Sequence, residues 1–221
     1  MTSQEIKALT GQYIMNTYGR FPVTIDHGQG ATLYDPEGNA YIDFTSGIGV
    51  SDLGYGCQPW VDAIAKQAGK IGHTSNLFYN VPSITAAEKL LKVSGMDKVF
   101  FTNSGTEAIG GALKIARRYA YDKKQGAYEI IAMEHSFHGR STGALAVTGN
   151  DHYREPFNPL LPGVKFAKFN DLDSVKALVN DKTCAIIMET VQGEGGIYPA
   201  DPEFIAGVRK LCDEHDLIMI L

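Results

Sequence analysis

Three short segments combine residue types that can bind and orient a small anionic molecule. The first is Phe100-Phe-Thr-Asn-Ser104-Gly105-Thr106-Glu107-Ala108. An apolar run there passes through a glycine-containing turn into a helical pattern, which offers free backbone N–H groups and the positive end of the helix dipole to an anion. A few charge-assisted hydrogen bonds, each contributing about 1.5–3 kcal/mol, hold a phosphate without a nearby lysine. Taken alone, Ser104-x-x-Glu107 has a plainer reading as a capping box. No Walker A sequence is present and no Gly-x-Gly-x-x-Gly follows a strand pattern, so neither nucleotide-binding signature applies.

The second segment is Met133-Glu-His-Ser-Phe137-His138-Gly139-Arg140. Phe137 can stack on a flat heteroaromatic ring, and the Arg140 guanidinium can grip a carboxylate through two parallel hydrogen bonds. His135 and His138 are spaced like a metal pair, but no Cys, Asp or Glu completes a known ligand set, so no metal is expected. The third is Glu189-Thr190-Val-Gln192-Gly193-Glu194-Gly195-Gly196, a tight turn that can present carboxylates to a crevice. Each segment alone reads more readily as an ordinary helix cap or a solvated surface loop. Their weight comes from occurring together, each after an apolar run.

Those loops need a scaffold that brings them to one rim. From Lys98 onward, apolar β runs alternate with helical patterns: Lys98–Thr102, helix Thr106–Tyr121, strand Glu129–Met133, a strand at Val164–Ala167, helix Leu172–Val179, strand Cys184–Met188, helix Pro202–His215 and strand Leu217–Leu221. This alternation predicts an α/β three-layer sandwich with a mostly parallel sheet, whose strand ends at the carboxyl edge form the ligand crevice. Before it, a small α+β segment is expected: a helix from Ser3 to Tyr18, a hairpin of Ala31–Tyr34 and Ala40–Phe44 turned by Asp35-Pro-Glu-Gly-Asn39, and helices at Trp60–Gly69 and Ser83–Val93. The domain boundary is drawn between residues 57 and 58.

Composition bounds the function. With 44% hydrophobic and 20% charged residues the chain has the makings of a packed core, and a net charge of −5 with no Lys or Arg cluster beyond the pairs Arg117-Arg118 and Lys123-Lys124 argues against nucleic acid as a partner. Cys57, Cys184 and Cys212 are an odd, scattered set that suggests a reducing compartment rather than disulfides. No signal peptide or membrane-length apolar run is evident, so the expectation is a cytoplasmic protein with no membrane partner.

Six blocks in order, Met15–Pro22, Tyr41–Phe44, His73–Tyr79, Phe101–Ala108, Phe137–Arg140 and Gln192–Gly196, resemble the class III aminotransferases, and most closely the acetylornithine aminotransferases. The resemblance implies a fold type I enzyme dependent on pyridoxal 5'-phosphate, a homodimer in its full-length form, acting on a small amino acid and a 2-oxo acid. It implies that Ser104, Gly105 and Thr106 bind the cofactor phosphate and that Phe137 stacks on the pyridine ring. Arg140 would hold the substrate α-carboxylate, Glu194 would act as a gate between the two substrates, and Tyr18 would also touch substrate. Departures from the family pattern stand at Ile109-Gly110-Gly111, Gly54–Pro59 and Thr190. Enzymes acting on ornithine, 4-aminobutyrate or other ω-amino acids, and a non-catalytic phosphate- or partner-binding module, remain alternatives. The apolar run Leu217–Leu221 would lie inside the sheet, so the chain is expected to be a truncated fragment. By resemblance, the lysine that binds the cofactor and the aspartate at its pyridine nitrogen would lie past Leu221, leaving no catalytic residue inside the chain and the 221 residues inactive alone.

Overall fold

The computed structural model describes residues 1–221. Its internal contacts divide the chain into two units, Met1–Leu90 and Leu91–Leu221.

In the first unit, α1 (Ser3–Tyr13) starts with a capping box: the Thr2 side chain accepts the Glu5 N–H at 3.2 Å and the Glu5 carboxylate accepts the Thr2 N–H at 2.8 Å. The helix stops at Tyr13 instead of running to Tyr18, because Ile14 turns to extended backbone and Asn16, Thr17 and Gly19 are poor helix formers. An antiparallel sheet follows in the order β1 (His27–Gln29), β2 (Thr32–Tyr34), β3 (Ala40–Ile42). The strand β1 escapes the sequence pattern because His-Gly-Gln has no apolar alternation. Asp35 organises the turn between β2 and β3, accepting the N–H groups of Glu37 at 3.1 Å and Asn39 at 2.7 Å and the Tyr41 hydroxyl at 3.0 Å. Beyond β3, the Asp43 carboxylate accepts the Thr45 hydroxyl at 2.7 Å, the Tyr55 hydroxyl at 2.8 Å and the Thr45 N–H at 2.8 Å; these bonds hold its pKa down to about 2. The following turn α2 (Ser46–Gly49), helices α3 (Gln58–Ala68) and α4 (Val81–Ser94) complete the segment, with the unit boundary falling inside α4.

The second unit is α/β. Its elements are α5 (Gly105–Lys123), β4 (Glu129–Met133), α6 (Thr142–Ala146), α7 (Asp151–Arg154), a 3-10 turn at Glu155–Phe157, β5 (Val164–Ala167), α8 (Leu172–Leu178), β6 (Thr183–Ile187), the short ribbon β7 (Val191–Gln192) and β8 (Tyr198–Pro199), α9 (Pro202–His215) and β9 (Ile218–Ile220). The strands β5-β4-β6-β9 form one sheet in that order, every pair parallel. Alternation along these strands divides the core between two faces. Ile131, Met133, Ile186 and Met188 pack with Val175 of α8 and Phe204, Val208 and Leu211 of α9. Ile130, Ala132, Ala185 and Ile187 pack with Leu113, Ala116 and Ala120 of α5. Helices therefore cover both faces, which is the three-layer arrangement expected from the βα alternation.

One expected strand does not form. Lys98–Thr102 is irregular, with Phe100 70% and Phe101 51% exposed. Both edges of β4 and of β6 are taken by neighbouring strands, and residues 98–102 join neither of the outer edges, at β5 and β9, so the apolar run stays without a ladder partner.

At the amino ends of the strands, α5 is tied down by polar bonds. Lys124 Nζ donates to the carbonyls of His215 at 2.6 Å and Thr183 at 3.4 Å, and the Tyr119 hydroxyl donates to Asp216 at 2.7 Å. A long helix fixed at its far end presents its N-terminus at a defined place, which matters for the site described next. No helix is long and apolar enough to cross a membrane.

Candidate active site

Because β4 and β6 are parallel neighbours, the loops that leave them, residues 134–140 and 188–196, emerge at the same carboxyl edge of the sheet. Hydrogen bonds join these loops to each other, and Ser141, directly after the first of them, bonds the N-terminus of α5.

At that N-terminus, Ser104 is the helix cap: its backbone is extended and its hydroxyl accepts the Glu107 N–H at 3.3 Å. The Glu107 carboxylate reaches back to the Asn103 N–H at 2.8 Å and the Asn103 side-chain amide at 2.9 Å, bonds that lower its pKa. Ser104 thus caps the helix, but the expected capping box is only half formed, since Glu107 reaches back to Asn103 instead of the Ser104 N–H; the first-turn N–H groups of Gly105 and Thr106 are left without intrahelical partners. A Cβ on Gly105 would have nothing within 4 Å, so open space lies beside those donors.

Thr106 meets the second loop directly. Its hydroxyl lies 2.7 Å from that of Ser141 and accepts the Ser141 N–H at 3.1 Å. Gly139 fits against it with φ +131°; a Cβ there would lie 2.5 Å from Thr106 Oγ1 and 2.7 Å from Thr106 Cβ. Only glycine allows this approach. Two hydroxyls and two unpaired N–H groups consequently converge at the start of α5.

Further along the same loop, Phe137 is half-buried and Arg140 is exposed. The Arg140 guanidinium sits 5.7 Å from the Phe137 ring centroid and 5.8 Å from that of Tyr153, and it forms no ion pair. Between them, the backbone of His138 donates to Thr148 Oγ1 at 3.1 Å and its side chain is buried, Nε2 having no protein partner. Burial holds this imidazole neutral, its pKa pushed down to about 4.

The third loop is strapped to the second. Glu189 accepts the N–H groups of Phe137 at 3.1 Å and Gly193 at 3.4 Å, and Gln192 Nε2 donates to the Glu134 carbonyl at 2.8 Å. Burial raises the Glu189 pKa against the effect of those bonds, and the nearby Glu194 charge adds to the rise. Glu194 itself is exposed. Tyr18 belongs to the first unit, 63% exposed, with the Arg20 guanidinium 5.9 Å from its ring. Ser141, Tyr153 and the bridging of Glu189 were not anticipated from sequence. Glu189 carried a signal, since an acid directly after a fully buried strand must find donors.

A cavity of about 950 Å³ lies elsewhere, at the amino ends of the strands, lined by Lys123, Tyr128, Asn180, Lys182 and Asp216 among others. Nothing there matches the chemistry of the three loops.

The carboxyl edge therefore gathers first-turn N–H groups of α5, the Thr106 and Ser141 hydroxyls, the half-buried Phe137 ring and the Arg140 guanidinium. The sequence profile of the family Aminotransferase class-III matches residues 13–221. An acetylornithine aminotransferase of Clostridium acetobutylicum is 50% identical over 96% of this chain and 55% of its own length, and one of Methanocaldococcus jannaschii is 46% identical over 96% and 54%. Among solved structures, the ornithine aminotransferase of Toxoplasma gondii, described with pyridoxal phosphate partly occupying its active site, superposes with a TM-score of 0.92 at 28% identity over 99% of this chain and 52% of that one. An N-acetylornithine aminotransferase of Stenotrophomonas maltophilia gives 0.76 at 34% identity, over 96% and 52%. The chain spans about half the length of the relatives it matches. It belongs to the class III aminotransferases, a family of pyridoxal-phosphate-dependent enzymes, and shares their fold.

Proposed function

We propose that the complete protein transfers the terminal amino group of N2-acetyl-L-ornithine to 2-oxoglutarate, giving N-acetyl-L-glutamate 5-semialdehyde and L-glutamate, a step of arginine biosynthesis. The observation that carries this reading is the convergence of the Gly105 and Thr106 N–H groups, the Phe137 ring and the unpaired Arg140 guanidinium on loops tied together at one sheet edge. These residues fit pyridoxal phosphate. Gly105 and Thr106 would hold its phosphate beside the Ser104 cap, and Phe137 would cover its ring. The bound cofactor supplies the electron sink for amino transfer.

The protein's own residues supply orientation. Arg140 grips the α-carboxylate of the amino acid, in a two-pronged geometry that fixes which carbon faces the ring. Glu194, an exposed acid on the neighbouring loop, discriminates the incoming substrate by charge. The choice of acetylornithine rests on relatives of that name at 40–50% identity; the structural likeness to ornithine aminotransferases keeps ornithine and other ω-amino acids as the second reading. We further propose that the complete protein is a cytoplasmic homodimer, that residues 1–57 form part of its small domain and 58–221 part of its large one, and that residues 1–221 do not transaminate alone.

Steady-state kinetics of the complete protein test the reading. With 2-oxoglutarate as acceptor, kcat/KM for N-acetylornithine is expected to exceed that for ornithine and 4-aminobutyrate. A preference for either of those assigns the second reading, and no amino transfer from any of them overturns both.

A further inference from the structure

Glu189 sits one residue beyond Met188, whose N–H donates to the Ile220 carbonyl at 3.0 Å, so its backbone is anchored by the edge of the central sheet. Its two carboxylate oxygens point to different loops. Oε2 accepts the N–H of Phe137 at 3.1 Å and Oε1 accepts the N–H of Gly193 at 3.4 Å. Neither oxygen pairs with a cation. An acid held by two main-chain donors fixes backbone, and here it fixes two backbones at once.

A second strap runs parallel to the first. Gln192 is buried and its Nε2 donates to the Glu134 carbonyl at 2.8 Å, while the Gly195 Cα lies so near the His135 carbonyl that an added Cβ would be 2.8 Å from that oxygen. The loops at 134–140 and 189–196 are therefore joined at two side-chain bonds and one close backbone approach.

We propose that Glu189 is a positioning residue that clamps the Phe137 loop to the Glu194 loop, setting the ring-covering side chain and the substrate-selecting acid from a single carboxylate. This rests on the roles proposed above for Phe137 and Glu194. Glutamine in its place would turn an N–H toward one of the two backbone donors, so it preserves one half of the clamp and loses the other; alanine loses both.

The test uses Glu189→Gln and Glu189→Ala in the complete protein, with two readouts. Site-resolved hydrogen exchange is expected to show the amides of Phe137 and Gly193 exchanging roughly tenfold faster or more in Glu189→Ala, and only one of them faster in Glu189→Gln. The visible circular dichroism of bound pyridoxal phosphate, which reports how the ring is held, is expected to weaken in Glu189→Ala and to recover partly in Glu189→Gln, with kcat falling by about tenfold or more. Unchanged exchange at both amides overturns the clamp, and unchanged circular dichroism with faster exchange overturns its positioning role. Should Glu189→Ala not fold, Glu189→Gln decides by the same readouts, with both amides unchanged counting against the clamp. If the wild-type protein binds no pyridoxal phosphate, the functional reading fails separately, and the amide exchange still decides whether the clamp exists.

Discussion

Replacing Gly139 with alanine places a methyl group at the junction between the Arg140 loop and the start of α5. Two costs follow from the geometry. The φ of +131° is one that side-chain-bearing residues rarely adopt, a strain of about 1–3 kcal/mol. The new Cβ would also sit 2.5 Å from Thr106 Oγ1 and 3.0 Å from Thr106 Cα, and relieving such crowding costs about 1–3 kcal/mol more. Thr106 must shift, and with it the 2.7 Å contact between the Thr106 and Ser141 hydroxyls. The complete protein is therefore expected to lose about 2–6 kcal/mol of stability in urea denaturation and to bind pyridoxal phosphate more weakly. Gly105→Ala is the control. Its Cβ would meet no atom within 4 Å outside its own helical turn, so folding stability should change by less than about 1 kcal/mol, helped by the better helix propensity of alanine. Cofactor binding should nonetheless weaken, because the methyl would occupy space beside the donor N–H groups. Equal stability of the wild-type and Gly139→Ala proteins would refute the packing argument, and unweakened cofactor binding in Gly105→Ala would refute the placement of the phosphate.

Three further outcomes are expected. Arg140→Lys should keep the cofactor but lose most of kcat/KM for both amino-acid substrates, since a point charge cannot reproduce two-pronged carboxylate recognition; unchanged values would remove that role from Arg140. Glu194→Ala should raise the preference for glutamate over N-acetylornithine, and an unaltered substrate ratio would exclude Glu194 as the discriminating acid. For His138, burial depresses the folded pKa to about 4 from 6.5, so the unfolded chain takes up the proton first; its contribution to stability is full above about pH 6.5 and is lost as pH falls toward 4. His138→Gln should flatten the pH dependence of the urea midpoint across that window, and an identical slope would show that the imidazole is not held neutral by burial.

Much of the scaffold was legible because burial on both faces writes itself into sequence. Ile130, Ile131, Ala132 and Met133 are fully buried, and β4, β5 and α9 have the bounds that their apolar runs imply. Residues 98–102 show the limit: their composition suits a strand, but strand formation needs a partner, and the apolar pattern of a segment does not reveal whether one is available. Likewise Ser104, Gly105 and Thr106 stood out by type, whereas the approach of Gly139 to Thr106 and the bridge from Glu189 to Phe137 join residues 33 and 52 positions apart through the fold. Such pairings depend on parallel strand order, which a single sequence states only as alternation. Ser141 offered no distinguishing signal, being one hydroxyl among many, and α6 was too short to show a period.

The most direct test of the account is a crystal structure of the complete protein with pyridoxal phosphate. The account predicts the phosphate within hydrogen-bonding distance of the Gly105 and Thr106 N–H groups, with the pyridine ring against Phe137 and the Arg140 guanidinium open toward the substrate side. A phosphate held elsewhere, such as in the cavity beside Lys123 and Lys182, or a ring lying away from Phe137, would contradict it.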